Sequence, residues 1–403
     1  MSIRARVCAW FAVVGLAVPS VADAQDLTER KIVDLIVGEG PQAQAIRAEA
    51  EVVRREALAR LAYPNPAVTY SREGAGFTEF LQAEQSLPVF GTRGALSRAG
   101  VAATAAAEAE RDARLWDLRA HAAAAVATLT TAQARLDAAQ AHTQEVERLI
   151  GILLAREREG EGSRFDRLRA EQELRDARGL ATSAAVELAE ARAGLVAMLP
   201  RDVSVGRVPA RTDLDEPPVR PDALMTRAVA ARAELRALQR SAERADFEAE
   251  AARRSRLPAP SVFGGLKRAD DGAGRVRGGV FGLSVSVPLF DSGSREAARW
   301  GAERARVEAE RASIEHQIRV EITRTSEALA LRQSALADDA PAAADELIQI
   351  AEVAYREGEM GVLELLDAFR TAARARARSL ELQRDARLAQ IALERAVGDV
   401  LWP

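Results

Sequence analysis

The chain has 403 residues, of which 48% are hydrophobic but only 4% are aromatic. Charged residues reach 29% and the formal net charge is −4, so no basic surface indicates a nucleic-acid partner. Because Ala, Leu and Val supply the apolar surface among Glu and Arg, this composition is typical of long helices or coiled coils rather than of a compact enzyme core.

Residues 1–24 have the pattern of a cleavable secretory signal. Arg4 and Arg6 precede an apolar run, Val7–Val18, and the segment ends on Ala22-Asp23-Ala24. The run is too short to span a membrane as a stable helix, and small residues at two-residue spacing are typical of a cleavage site. The alternative is a buried N-terminal helix. We expect an exported protein whose mature chain begins at Gln25.

The sequence offers no candidate catalytic, cofactor-binding or metal-binding residues. The only cysteine is Cys8, inside the expected signal, so the mature chain would have no disulfide, no thiolate ligand and no N-terminal lipid anchor. The three histidines are far apart on helical segments and share no metal-ligand spacing: His121, His142 and His316. No serine lies in a motif typical of a catalytic nucleophile, and no glycine-rich phosphate-binding loop follows a predicted strand.

The chain contains a two-fold internal repeat with a period of about 200 residues. Three pairs of segments match in the same order: Pro64–Val68 with Pro258–Val262, Leu87–Gly91 with Val287–Asp291, and Arg158–Glu161 with Arg356–Glu359. Residues 25–212 and 213–403 are therefore predicted to share one layout of helix, two strands, long helix, tip turn and helix. A proline-rich stretch, residues 200–221, is predicted to connect the two halves.

Long helices account for most of each repeat. Residues 93–156 contain no proline, and at about 1.5 Å per residue such a helix reaches on the order of 100 Å. Residues 164–198 and 362–397 are predicted to run back from the two tips. The last helix carries an apolar stripe that favours burial against partner helices: Leu363, Leu366, Phe369, Ala373, Leu380 and Leu388. Pro341 predicts a break before a short segment outside the main bundle.

Four strands are predicted between proline-marked corners. They are residues 67–73, 78–87, 261–267 and 280–289, with glycine-rich connections at residues 74–76 and 270–279. The last strand alternates apolar residues with Gly and Ser, and about ten residues is the length of a tilted membrane strand. The alternative is a pair of soluble hairpins on a coiled-coil protein.

Four strands predict that several chains assemble. Membrane barrels commonly need at least about eight strands, and an open sheet edge in lipid leaves backbone groups unsatisfied. If these strands span a membrane, several chains must share one barrel. Three chains would supply about twelve strands, with a tunnel of long helices beneath them.

Several segments together resemble the TolC-like outer-membrane efflux proteins, and particularly their heavy-metal efflux branch. They are Pro64-Asn65-Pro66, residues 85–91 with Arg93, residues 285–291, residues 355–358 leading to residues 363–368, and residues 393–398. The resemblance covers essentially the whole mature chain. It implies a mainly α fold with membrane β-strands, in which a homotrimer shares a 12-stranded barrel and continues as a long helical barrel.

The resemblance also implies a function and a location. The expected protein is a passive exit channel in the outer membrane lipid, with its tunnel in the periplasm, and not an enzyme. Its expected partners are a periplasmic adaptor and an inner-membrane transporter, commonly proton-driven, and no cofactor is implied. The alternative from a different class is a soluble periplasmic coiled-coil adaptor or scaffold, and a hydrolase is a more distant one. The sequence leaves the cargo open between metals, drugs, solvents and polypeptides.

Three sets of site residues follow from the resemblance. The tips that close the tunnel and meet the adaptor are Gly160-Glu161-Gly162-Ser163 and Gly358-Glu359-Met360-Gly361. The acidic pair expected to constrict the pore is Glu364 and Asp367, which lie one helical turn apart on one face. The alternative is that these are ordinary solvated acids beside Arg370. A possible latch of the closed state comprises Arg158, Arg164 and Arg167.

Overall fold

The computed structural model describes residues 27–74, 78–211, 221–270, 272–290, 292–339 and 341–402. The expected signal segment, residues 1–24, lies outside the described residues. So does the middle of the proline-rich connector, residues 212–220.

The elements follow in the same order in both halves of the chain. The first half comprises α1 Glu29–Glu39, α2 Pro41–Ala59, β1 Ala67–Glu73, β2 Thr78–Ser86, α3 Thr92–Arg158 and α4 Arg164–Val196. The second half comprises α5 Pro221–Ala231, α6 Ala233–Arg254, β3 Ala259–Asp270, β4 Arg275–Ser286, α7 Ser294–Ala337, α8 Pro341–Arg356 and α9 Val362–Val397.

Helix α3 sets the length of the molecule. It has 67 residues, which is about 100 Å at 1.5 Å per residue. Gly100 does not break it, because this glycine lies against α2, where a Cβ atom would come within 3.2 Å of the Cβ of Ala57. The glycine therefore serves close helix packing. None of the helices in the described part of the chain combines the length and the apolar character needed to cross a membrane.

The second half interrupts its long helix, with α7 ending at Ala337 and α8 beginning at Pro341. The sequence predicted an extra segment outside the bundle at this point, and that prediction was wrong. Ala344, Ile348 and Tyr355 of α8 are buried in one cluster with residues of α9. Helix α8 is thus the descending arm of a hairpin whose returning arm is α9.

The helices pack in two tiers. Near the strands, α3 lies between α2 and α6, and α6 packs against α7. Further away, α3 packs against α4 and α9, and α9 packs against α7 and α8. The tiers meet end to end, since Arg232 at the start of α6 donates from Nε to the carbonyl of Ala396 near the end of α9, at 2.8 Å.

The four strands form one antiparallel sheet in the order β1-β2-β3-β4. β4 begins five residues earlier than predicted, at Arg275, and ends at Ser286. Residues 275–279 were predicted to be a connection, but Gly278 and Gly279 pair with Lys267 and Leu266 of β3. The backbone partners supplied by β3 stabilise a strand where side-chain propensity alone disfavours one.

Candidate functional site

The register places apolar side chains on one face of the sheet, called the apolar face below. Leu81 of β2 lies beside Tyr70 of β1 and Leu266 of β3. The exposed members of this face are Val68, Tyr70, Leu81, Val262, Leu266, Phe281, Leu283 and Val285. Phe281 is 88% exposed, which is unusual for a phenylalanine in a protein surrounded only by water.

The opposite face of the sheet, called the polar face, carries mainly small and polar side chains, together with a few apolar ones. Alternation along the strands places Thr69, Gln82 and Ser284 there. Glu84 and Ser261 also lie on this face, and the Ser261 hydroxyl donates to the Glu84 carboxylate. A sheet with one apolar and one hydrated face is the arrangement of a barrel wall between lipid and a water-filled lumen.

The height of the apolar face matches a membrane. Strand β4 has 12 residues, which span about 40 Å at 3.4 Å per residue. A tilt of about 40° reduces this to about 30 Å, close to the hydrocarbon thickness of a bilayer. Phe90 and Phe290 lie at the helical end of the strands and are 58% and 98% exposed. Aromatic residues at this level are typical of the interfacial girdles of membrane barrels.

The first tip, Gly160-Glu161-Gly162-Ser163, reverses the chain between α3 and α4. The Glu161 amide donates to the Arg156 carbonyl at 2.9 Å, and the Gly160 amide donates to the Glu157 carbonyl at 3.2 Å. These two bonds form a Schellman motif, which needs the left-handed conformation that Gly160 adopts at φ 81°. The Ser163 hydroxyl then caps α4 by accepting from the Phe165 amide at 3.2 Å.

The second tip, Gly358-Glu359-Met360-Gly361, repeats this turn between α8 and α9. The Glu359 amide donates to the Ala354 carbonyl at 2.9 Å, and Gly358 has φ 78°. Its cap differs from the first. The amide of Gly361 donates to Oε2 of Glu364 at 2.6 Å, so a carboxylate one turn into α9 reaches back to the helix start.

The three proposed latch residues have different surroundings. Arg167 is engaged within its own hairpin, since its Nε lies 2.6 Å from Oε2 of Glu157 and its Nη1 also contacts Glu171. Arg158 and Arg164 are exposed at the two ends of the first tip. The described residues therefore place two of the three arginines where a neighbouring molecule could reach them.

The proposed gate acids lie on the exposed side of α9. Glu364 and Asp367 are both exposed, one turn apart, whereas Leu365, Leu366 and Phe369 are buried. Leu363 was assigned to the buried stripe, and that assignment was wrong, because it is 46% exposed beside the acids. Over the first two turns of α9, the exposed side is thus formed by one apolar and two acidic side chains.

Sequence reasoning missed a set of buried and half-buried charged side chains above the tips. It consists of His142, Glu145, Glu173, Arg370 and Arg376 and is called the charge layer below. Arg370 of α9 donates through Nε and Nη2 to Oε2 of Glu173 on α4, with the Nε bond at 2.7 Å. Glu173 is only 4% exposed, and the bond raises the pKa of Arg370 above its usual value.

The charge layer continues from α9 to α3 and α8. Arg376 donates to Glu145 of α3 at 2.9 Å and to Asp345 of α8 at 2.7 Å. Burial alone would raise the pKa of Glu145, but His142 and Arg376 outweigh it and hold that pKa below its usual value. His142 is 3% exposed, with Nε2 4.0 Å from Oε1 of Glu173. The layer therefore ties all four helices of the two tip hairpins together.

The described residues contain no group of three His, Cys, Asp or Glu side chains placed to hold a metal ion. His121 and His316 are exposed on separate helices, while His142 is buried in the charge layer. Of the two acids next to His142, Glu145 lies one turn along α3, whereas Glu173 comes from α4. In the sequence, the layer could be suspected only because His142, Glu145 and Glu173 fall on the helix faces that also carry the buried apolar residues.

Comparison with solved structures identifies the fold. The outer membrane channel MtrE of Neisseria gonorrhoeae, crystallised in an open state, superposes with a TM-score of 0.71 over 95% of this chain and 94% of that chain, at 19% identity. The outer membrane protein VceC of Vibrio cholerae superposes with a TM-score of 0.69 over 93% of this chain and 97% of that chain, at 17% identity. CusC superposes with a TM-score of 0.68 over 92% of both chains, at 18% identity. No curated protein matches the sequence.

Sequence comparison finds a related family over part of the chain. Residues 224–399 match the family model of outer membrane efflux proteins. Over this part the chain resembles that family, and the solved structures show that the described residues have the TolC-like fold. The prediction of a TolC-like fold is thereby confirmed, and the heavy-metal branch stays a prediction.

Proposed function

We propose that three copies of this chain form one duct, with a shared 12-stranded barrel in the outer membrane and a helical tunnel in the periplasm. The observation that carries the proposal is the sheet itself. Its apolar face is built for lipid, yet β1 and β4 are edge strands of a four-stranded sheet. Unpaired backbone groups at a lipid-facing edge cost several kcal/mol each, so pairing β1 of one copy with β4 of the next would stabilise the assembly.

Cysteine cross-linking tests this pairing. Thr69→Cys on β1 and Ser284→Cys on β4 place thiols on the polar face of the two edge strands. In outer membranes treated with a short thiol-reactive linker, we expect the double variant to give a ladder ending at three chains. Each single variant is the matched control and should stay monomeric on a denaturing gel. A double variant that stays monomeric, or a ladder ending at another number, would contradict the trimer.

Glu364 and Asp367 are proposed to constrict the periplasmic end of the duct. Their exposure on α9, opposite its buried face, supports this assignment. Around a threefold axis, the two acids would form two stacked carboxylate rings that attract cations. We expect Glu364→Gln with Asp367→Asn to raise conductance in planar bilayers or to reduce block by cations. Glu346→Gln, an exposed acid on α8, is the control. Conductance and block identical to wild type would exclude the pair as the constriction.

The two tips are proposed to bind a periplasmic adaptor that links the duct to a proton-driven inner-membrane transporter. Both tips end in exposed glycine turns at the same end of the helical body, next to exposed Arg158 and Arg164. Those two arginines could also pair with acids of a neighbouring copy and hold the tunnel closed, whereas Arg167 is already paired in its own hairpin. Charge reversal, Arg158→Glu with Arg164→Glu, should weaken adaptor capture in pull-down experiments, and Arg192→Glu on the far part of α4 is the control.

A soluble periplasmic adaptor or scaffold is the rival function, and the exposed apolar face argues against it.

The cargo is proposed to be metal ions, on the branch resemblance alone. Deleting the gene and testing growth on a panel of metals and organic toxicants addresses this point. Unchanged tolerance to every metal, with lost tolerance to an organic compound, would overturn the metal assignment and leave the duct in place.

A further inference from the structure

Three arginines lie in one row across the sheet, at the ends of the strands farthest from the helices. Arg72 of β1 pairs with Glu79 of β2, Glu79 pairs with Arg268 of β3, and Arg268 pairs with Arg277 of β4. Arg72, Arg268 and Arg277 are exposed and are called the arginine row below. Paired residues in antiparallel strands lie about 5 Å apart, so the row is a continuous band of charge.

The arginine row lies on the apolar face. Tyr70, Leu81 and Leu266 share that face one step closer to the helices. The Tyr70 hydroxyl donates to Oε1 of Glu79 at 3.0 Å, which partly engages the one acid in the row. The band therefore has an excess of positive charge above a surface of exposed apolar side chains.

The position of the row fixes its depth in the membrane. An arginine on the lipid-facing side of a barrel is costly at the bilayer midplane but nearly free at the interface. The row must then lie at the level of the lipid headgroups, with its aliphatic stems over the apolar face and its guanidinium groups pointing out of the hydrocarbon. Because the helical body occupies the periplasm, the strand ends farthest from it lie in the outer leaflet.

We propose that the arginine row binds the phosphates of the phosphorylated glycolipid that forms this leaflet in bacterial outer membranes. Guanidinium groups bind phosphate through paired hydrogen bonds, and a row of them matches a headgroup that carries more than one phosphate. The acyl chains of the same molecule would cover Leu266 and Phe281 below the row. The inference rests on the strands spanning the outer membrane, and it holds whether or not three chains share the barrel.

The test compares neighbouring residues on opposite faces. Arg268→Gln removes a charge from the row, whereas Lys267→Gln removes the adjacent charge from the polar face, where Lys267 lies over the Phe80 ring. Binding of the phosphorylated glycolipid and of its dephosphorylated form would be measured by native mass spectrometry of the detergent-solubilised protein. We expect about fivefold weaker binding for Arg268→Gln, and roughly 25-fold for Arg268→Gln with Arg277→Gln, but wild-type binding for Lys267→Gln.

Three results would overturn the inference. The first is equal affinity for the two glycolipids, and the second is equal loss of binding in the Lys267→Gln control. The third is competition by inorganic phosphate as strong as by the glycolipid, since the apolar face would then contribute nothing to binding. A chain that fails the cross-linking test for trimers but prefers the phosphorylated glycolipid would refute the shared barrel and leave this inference intact.

Discussion

The first tip and the second tip end one helix through the same two backbone hydrogen bonds, yet they begin the next helix differently. Ser163 caps α4 with its own hydroxyl, whereas α9 is capped by Glu364, a residue also proposed to constrict the pore. The second helix of each hairpin also carries a paired arginine, and the two arginines have different partners. Arg167 pairs with half-exposed Glu157 and Glu171, while Arg370 pairs with buried Glu173. The repeat thus preserves backbone geometry and varies the side chains that fix each hairpin to its neighbours.

The largest expected effect separates the two arginines. Arg370→Met leaves the Glu173 carboxylate buried without its main partner. We expect the free energy of unfolding of this region to fall by about 2–3 kcal/mol. The figure is at the low end for a buried pair because 37% of the Arg370 side chain is exposed and water can reach the site. Hydrogen exchange of the α4 and α9 amides would report the loss. Arg167→Met is the matched control and should change exchange far less, because its partners remain hydrated. Equal effects in the two variants would mean that burial of the pair is unimportant.

The next effect separates the glycines just before the second helix of each hairpin. A Cβ atom on Gly162 would lie 2.7 Å from the backbone nitrogen of Glu157, whereas one on Gly361 would meet only the carboxylate end of Glu364, at 3.1 Å. Gly162→Ala must shift the backbone, at a cost of about 1–3 kcal/mol. Gly361→Ala should be nearly neutral. Thermal unfolding of the detergent-solubilised protein measures both, and a neutral Gly162→Ala would show that the first tip is looser than its geometry suggests.

These contrasts also show what the sequence could and could not predict. The long helices and tip turns were predictable because proline-free runs and glycine pairs act through local backbone geometry. The charge layer was not, since Arg370 and Glu173 lie 197 residues apart and only packing of α9 against α4 brings them together. The start of β4 was misplaced for the same reason, because its glycines become a strand only when β3 supplies their partners.

A third prediction tests what the two tips share. Gly160 and Gly358 both adopt φ near 80°, with open space where a Cβ atom would lie. Alanine at either position should therefore cost about 1 kcal/mol, from backbone strain alone. Thermal unfolding of the two single variants should give equal shifts, and of the double variant their sum. Unequal shifts in unfolding temperature would show that the backbone strain differs between the two tips, and the two turns would then not be equivalent.

The smallest expected effect concerns the caps. Ser163→Ala removes the acceptor of the Phe165 amide and should destabilise the start of α4 by about 1 kcal/mol. Glu364→Gln keeps a side-chain oxygen that can accept from the Gly361 amide. It loses only the negative charge at the helix start, which should lower the stability of the first turn of α9 by about 0.3–1 kcal/mol. Hydrogen exchange at the first turns of α4 and α9 compares the two variants. If Glu364→Gln changes bilayer conductance while leaving exchange at α9 almost unaltered, then its charge acts on the pore rather than on the helix. If exchange rises at the second tip as conductance rises, the change in conductance comes from a loosened cap, and Asp367 alone remains a candidate for the constriction.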